Sequence, residues 1–72
     1  MSELKMQFGR RLKQIRKQRS LTQEKLAETV GISVEFLSNM ERGINAPSFK
    51  TLENLSGKLN IPVWELFKFE SD

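Results

Sequence analysis

The chain has 72 residues, a net charge of +3 and neither cysteine nor histidine, which excludes disulfides, thiolate metal centres and histidine-based catalysis and is compatible with a reducing cytosol. One domain over 1–72 fits this length, with a core at about 4–67, because independent domains begin near about 50 residues and so short a chain buries only about 60% of its unfolded surface. No apolar run reaches signal-peptide or membrane-span length, so a cytoplasmic protein without a membrane partner is expected.

The first predicted helix runs from Glu3 to Gln18 behind a Ser2 cap, with Leu4, Phe8, Leu12 and Ile15 as its buried stripe at steps of four and three. Residues 1–19 hold seven Lys or Arg against Glu3, whereas residues 20–72 hold five against eight acids. Such asymmetry is a cue for an anionic partner, nucleic acid above all. For any single one of these side chains a solvated helix face is an equal explanation, and Arg10 and Lys17 fall opposite the buried stripe.

Residues 23–42 carry the densest pattern. Leu26, Ala27, Val30, Gly31, Ile32, Leu37 and Met40 stand where two helices crossing on a tight turn need small or apolar side chains. Thr22 caps a helix through Thr29 or Val30, Gly31 supplies the turn, and Ser33 caps a second helix from Val34 to Arg42. The pattern is that of a helix-turn-helix, whose second helix enters the major groove of DNA.

Gly43, Ile44, Asn45 and Ala46 form a loop, and Pro47 prevents the helix from resuming. Ser48 caps a fourth helix with Phe49, Leu52, Leu55 and Leu59 as its stripe; Gly57 inside it calls for close packing or local fraying. Asn60, Ile61 and Pro62 turn the chain into a short fifth helix ending at Phe67, and the tail from Lys68 is expected to be loose. The fold class expected is all-α.

The stretches FGRRLKQIRKQRSLTQEKLAETVGISVEFLSNMERG and APSFKTLENLSGKLNIPVWELF resemble the Cro and lambda-repressor-like helix-turn-helix family, also called the Xre family, over about Phe8 to Phe67. LTQEKLA, Met40-Glu41-Arg42 with Gly43, and Pro47-Ser48 are the more specific pieces. The resemblance implies a compact five-helix domain from bacteria or their phages, with the helix-turn-helix in helices two and three, reading double-stranded operator DNA at the nucleoid. It also implies that Arg16 and Glu41 form a largely buried ion pair between helices one and three, and that Gln23 bonds a phosphate. Relatives often carry glutamine where this chain has Val34 and Glu35, so no operator sequence transfers.

The residues themselves sort into anchoring and reading. Gln23 begins a helix whose free N–H groups and dipole attract an anion; Arg42 and Asn45 follow the second hairpin helix and are the other phosphate candidates, with capping of exposed carbonyls as their alternative. Arg16, on the edge of its stripe, is a further phosphate candidate. Base reading falls to Val34, Glu35 and Asn39 with Ser33 and Ser38 beside them: Asn39 can pair with adenine, Glu35 can accept from cytosine N4, and Val34 can pack on a thymine methyl. Glu35 also stabilises a helix N-terminus without DNA.

The run Val63 to Phe69 is too apolar for one short helix to hide, so Trp64 and Phe69 are expected to face outward and join two copies, spacing two recognition helices about 34 Å apart on a pseudo-palindromic operator. The function expected is a sequence-specific regulator of transcription, a repressor among the options. An antitoxin-type protein-interaction module that also binds DNA is the rival reading. Nothing arranges a catalytic base, nucleophile or metal site, so no enzyme, cofactor, metal or small-molecule ligand is expected.

Overall fold

The structure, a computed structural model, describes residues 3–70. Helices α1 (Glu3–Gln18), α2 (Gln23–Val30), α3 (Val34–Glu41) and α4 (Phe49–Leu59) are followed by a 3-10 turn at Val63–Phe67. The class is all-α, with four α-helices where five were expected. In the fifth segment the Glu65 N–H reaches the Pro62 carbonyl at 3.0 Å and the Lys68 N–H reaches that of Glu65 at 3.3 Å. Both bonds span three residues, the tighter winding short segments adopt. The Ser2 cap lies outside the described residues.

Local chemistry sets the helix boundaries. Thr22 Oγ1 accepts from the Lys25 N–H at 3.0 Å, Ser33 Oγ from that of Phe36 at 3.0 Å, and Ser48 Oγ from that of Thr51 at 3.1 Å. Each cap satisfies a donor that the helix start leaves free. Gly31 ends α2 at φ 86°, where a side chain would be strained, and its N–H donates to the Ala27 carbonyl at 2.8 Å. The next N–H, from Ile32, bonds the same carbonyl, so the chain leaves α2 sharply and re-enters a helix three residues on.

Phe8, Leu12 and Ile15 of α1 meet Leu26, Ala27 and Val30 of α2, Leu37 and Met40 of α3, Leu52, Leu55 and Leu59 of α4, and Leu66 in one core. Burial of each leucine contributes about 1.5–3 kcal/mol, so this core is the main source of stability. Helix α1 packs on α3 and the 3-10 turn, while α4 closes over α2. The α1 and α3 backbones approach closely at Gly9, which is buried.

Two stripe residues depart from expectation: Leu4 is 58% exposed and Phe49 85% exposed. Both sit in the first turn of their helices. Side chains lean toward a helix's N-terminus, so these two project past the start of the helix instead of onto a neighbour. Gly57 neither packs closely nor interrupts α4: open space surrounds it and the helix continues to Leu59. The loose tail is corrected as far as Glu70. Phe69 is partly buried, with its ring centroid 6.1 Å from that of Phe67, and Gln14 Nε2 donates to a Glu70 carboxylate oxygen at 3.3 Å. Among the described residues no helix is long and apolar enough to cross a membrane.

Candidate nucleic-acid interface

The tight α2–α3 turn presents one face of α3 outward. Leu37 and Met40 are buried on its inner side, which leaves Val34 and Glu35 exposed and Ser38 and Asn39 half-buried on the outer one. Ser33 spends its oxygen on the cap, though its hydroxyl hydrogen remains available to donate. Among the described residues the side chains of Glu35, Ser38 and Asn39 form no hydrogen bond with the protein, so their donors and acceptors are open to a ligand. The first two turns of a helix thus offer one methyl-bearing, one acidic, one hydroxyl and one amide side chain.

Asn39 also fixes the segment beyond α3 through its backbone. Its carbonyl accepts from the N–H of Ile44 at 2.8 Å and of Asn45 at 3.2 Å, while Gly43 at φ 77° turns the chain. Met6 lies against Gly43, and Lys5 Nζ donates to the Ile44 carbonyl at 3.3 Å. These contacts hold the loop against α1. Arg42 caps α3 by its backbone and leaves its guanidinium exposed; Asn45 is half-buried beside it.

Behind this face lies a polar network joining three helices. Arg16 Nε donates to Glu41 Oε2 at 2.6 Å and another guanidinium nitrogen to Oε1 at 3.0 Å, a two-pronged ion pair between α1 and α3 with both residues buried. The third guanidinium nitrogen donates to the Leu21 carbonyl at 2.8 Å. The hydrogen bond to Glu41 raises the Arg16 pKa further above its usual value, against the opposing effect of burial. Glu41 Oε1 also accepts from Gln23 Nε2 at 3.0 Å, which adds the start of α2.

Sequence reasoning and geometry part company at three residues. Arg16 was a phosphate candidate, but its guanidinium is buried and committed to Glu41 and Leu21, so that role is withdrawn. Gln23 stands at the α2 start as expected, yet one amide hydrogen is already given to Glu41. Phe69, expected to face outward, packs on Phe67, while Trp64 is 64% exposed. The Gln23–Glu41 contact was missed although a signal existed. A buried carboxylate has more acceptor sites than one guanidinium fills, and the remainder must find a donor.

The basic end of the chain also divides. Arg11 donates from Nε to the Glu65 carbonyl at 2.9 Å, lies 3.5 Å from that residue's carboxylate and bonds Gln14 at 2.8 Å, so like Arg16 it holds the fold together. Arg10, Lys13 and Lys17 remain exposed at steps of three and four, one cationic stripe along α1. Helix α3 itself contains no lysine or arginine. The exposed cationic groups near this hairpin therefore lie outside α3, on α1 and at Arg42.

The family described as Helix-turn-helix matches residues 12–66. The immunity repressor protein of Bacillus phage phi105 is 47% identical over 58 residues, covering 81% of this chain and 40% of that protein. The uncharacterized HTH-type transcriptional regulator YazB of Bacillus subtilis is 41% identical over 59 residues, covering 82% of this chain and 86% of that one. The crystal structure of the restriction-modification controller protein C.AhdI from Aeromonas hydrophila superposes with a TM-score of 0.84 at 33% identity, over 88% of this chain and 96% of that one. The chain thus spans less than half of the phage repressor and most of the other two.

Proposed function

Since this chain belongs to the Helix-turn-helix family, of the lambda-repressor-like kind, we propose that it is a sequence-specific double-stranded-DNA-binding regulator of transcription, acting as a homodimer on a pseudo-palindromic operator with α3 in the major groove. The observation that carries this reading is the outer face of α3, where Val34, Glu35, Ser38 and Asn39 stand free beside an exposed Arg42. Asn39 reads adenine, Val34 packs on a thymine methyl, Glu35 accepts from cytosine, and Ser33 and Ser38 supplement them.

Anchoring falls to Gln23, Arg42 and Asn45. Gln23 keeps one amide hydrogen and sits among the free N–H groups at the α2 start, where the helix dipole favours an anion. The exposed basic stripe of α1 supplies long-range attraction. The pairing surface is assigned to Trp64, with the neighbouring Val63 also exposed. Phe69 is left out of it because it packs on the protein's own Phe67.

The immunity-repressor relative supports repression as the mode of regulation. This reading puts the protein at the nucleoid, in the cytoplasm of a bacterium or of the host of a phage. Selection of duplexes from a random pool, followed by anisotropy titration of the winners, tests it: enrichment of a two-fold symmetric sequence is expected, and no duplex binding at low salt would overturn it.

A further inference from the structure

The buried acid of α3 touches two side chains with different duties. Glu41 Oε1 is 3.0 Å from a guanidinium nitrogen of Arg16 and also 3.0 Å from Gln23 Nε2. Glu41 is buried and Gln23 only half-buried, so the contact runs from the interior to the surface. A glutamine amide has two hydrogens. Fixing one on a buried carboxylate stops rotation of the amide and leaves the other hydrogen directed away from that carboxylate. Without this partner, Gln23 would lose rotamer freedom on meeting a ligand, at a cost that weakens binding.

We propose that Glu41 is a positioning residue for the DNA-backbone contact: by accepting from Gln23 across the α2–α3 junction it presets the amide that meets a phosphate. This rests on the DNA-binding reading above. Arg16 has a matching duty. A bare carboxylate bonded to the anchoring amide would repel the phosphate that the amide receives, and the two-pronged guanidinium neutralises it. The ion pair therefore acts on binding as well as on folding. Because Glu41 is on α3, the same contact ties the backbone anchor to the position of the reading helix.

A double-mutant cycle tests the proposal on random-sequence duplex at low salt. Arg16→Met with Glu41→Leu removes both charges together, a change that often leaves stability intact where removal of one charge does not. In the wild-type background Gln23→Ala should weaken binding about tenfold, the loss expected of one hydrogen bond to a charged group. In the pair-free background affinity should already be reduced, and Gln23→Ala should then change it less than about twofold. A loss of about tenfold in both backgrounds overturns the proposal.

A second measurement needs no variant. In the free wild-type chain the order parameter of the Gln23 side-chain amide should approach that of rigid backbone, about 0.85, while that of the exposed Gln18 should fall below about 0.6. Equal mobility of the two amides overturns the proposal even if the double variant fails to fold. If the wild-type chain binds no duplex at all, the DNA-binding reading falls first, and a rigid Gln23 amide would then mark the network as purely structural.

Discussion

Gly9 of α1 and Met40 of α3 meet backbone to backbone: a β-carbon on Gly9 would stand 2.3 Å from the Met40 carbonyl oxygen and 2.7 Å from that of Glu41. No side chain can swing away to make room, so the helices would have to separate. This crossing holds the end of α3 against α1, close to where Arg16 grips Glu41.

Two glycines inside helices should therefore respond oppositely to alanine. Gly9→Ala gains about 1 kcal/mol of helix propensity but forces a backbone shift, for a net loss of about 1–3 kcal/mol. Gly57→Ala meets open space and should gain about 0.5–1 kcal/mol. Urea midpoints at equal m-value check both signs. A stable Gly9→Ala variant would show that the α1–α3 crossing is looser than these distances require.

The contrast marks what was legible in the sequence. Thr22, Ser33, Ser48 and Gly31 act within a few residues of themselves, so the hairpin and its caps could be read directly. Arg16–Glu41 was reachable only through family resemblance, because its partners lie 25 residues apart. Gly9 gave no local sign of its contact; in sequence it is a weak helix former among arginines, and only the crossing explains it. Leu4 and Phe49 fit a periodic stripe that says nothing of where the neighbouring helix ends. Gln23 was placed correctly on α2, but its bond to a residue 18 positions away was not visible.

Removing one charge of the buried pair should be severe. Arg16→Met leaves Glu41 buried with only the Gln23 amide as partner, at a cost of about 3–5 kcal/mol. The whole chain is expected to have only about 4–11 kcal/mol of stability. The pH dependence follows from the raised Arg16 pKa. A base whose folded pKa is raised contributes stability fully present below its unfolded pKa and lost only as pH climbs through the folded one. For arginine that window is far into alkali, so the contribution of Arg16 should be the same at about pH 6 and about pH 9. Thermal midpoints of wild type and Arg16→Met at both values check this, and a gap that closes by pH 9 would assign the stabilisation to another group.

Reading and anchoring should separate by mutation. Asn39→Ala should cost about 1–3 kcal/mol on the preferred operator and almost nothing on random duplex. Arg42→Ala should weaken both alike and reduce the slope of log affinity against log salt by about 0.9, the signature of one lost phosphate contact. Anisotropy titrations over a salt series measure the two quantities together. Equal losses on every duplex for Asn39→Ala would remove it from the base-reading set, and an unchanged salt slope for Arg42→Ala would mean that its guanidinium meets no phosphate.

The proposed pairing surface can be tested because the two C-terminal aromatics are differently placed. Trp64 is 64% exposed, whereas Phe69 is partly buried and its ring centroid lies 6.1 Å from that of Phe67. An exposed indole contributes little to a lone subunit but much to an interface, where aromatics supply large contact area. Trp64→Ala should therefore leave the thermal midpoint nearly unchanged while sedimentation shifts toward monomer. Phe69→Ala should do the reverse, costing about 1–3 kcal/mol of stability and leaving the folded fraction paired. DNA adds a second readout. Two linked subunits engage two half-sites by effective concentration, so Trp64→Ala should lose more affinity for a two-half-site operator than for a single half-site. If folded Trp64→Ala sediments as the wild type does and keeps its two-site advantage, the pairing surface lies elsewhere on the chain.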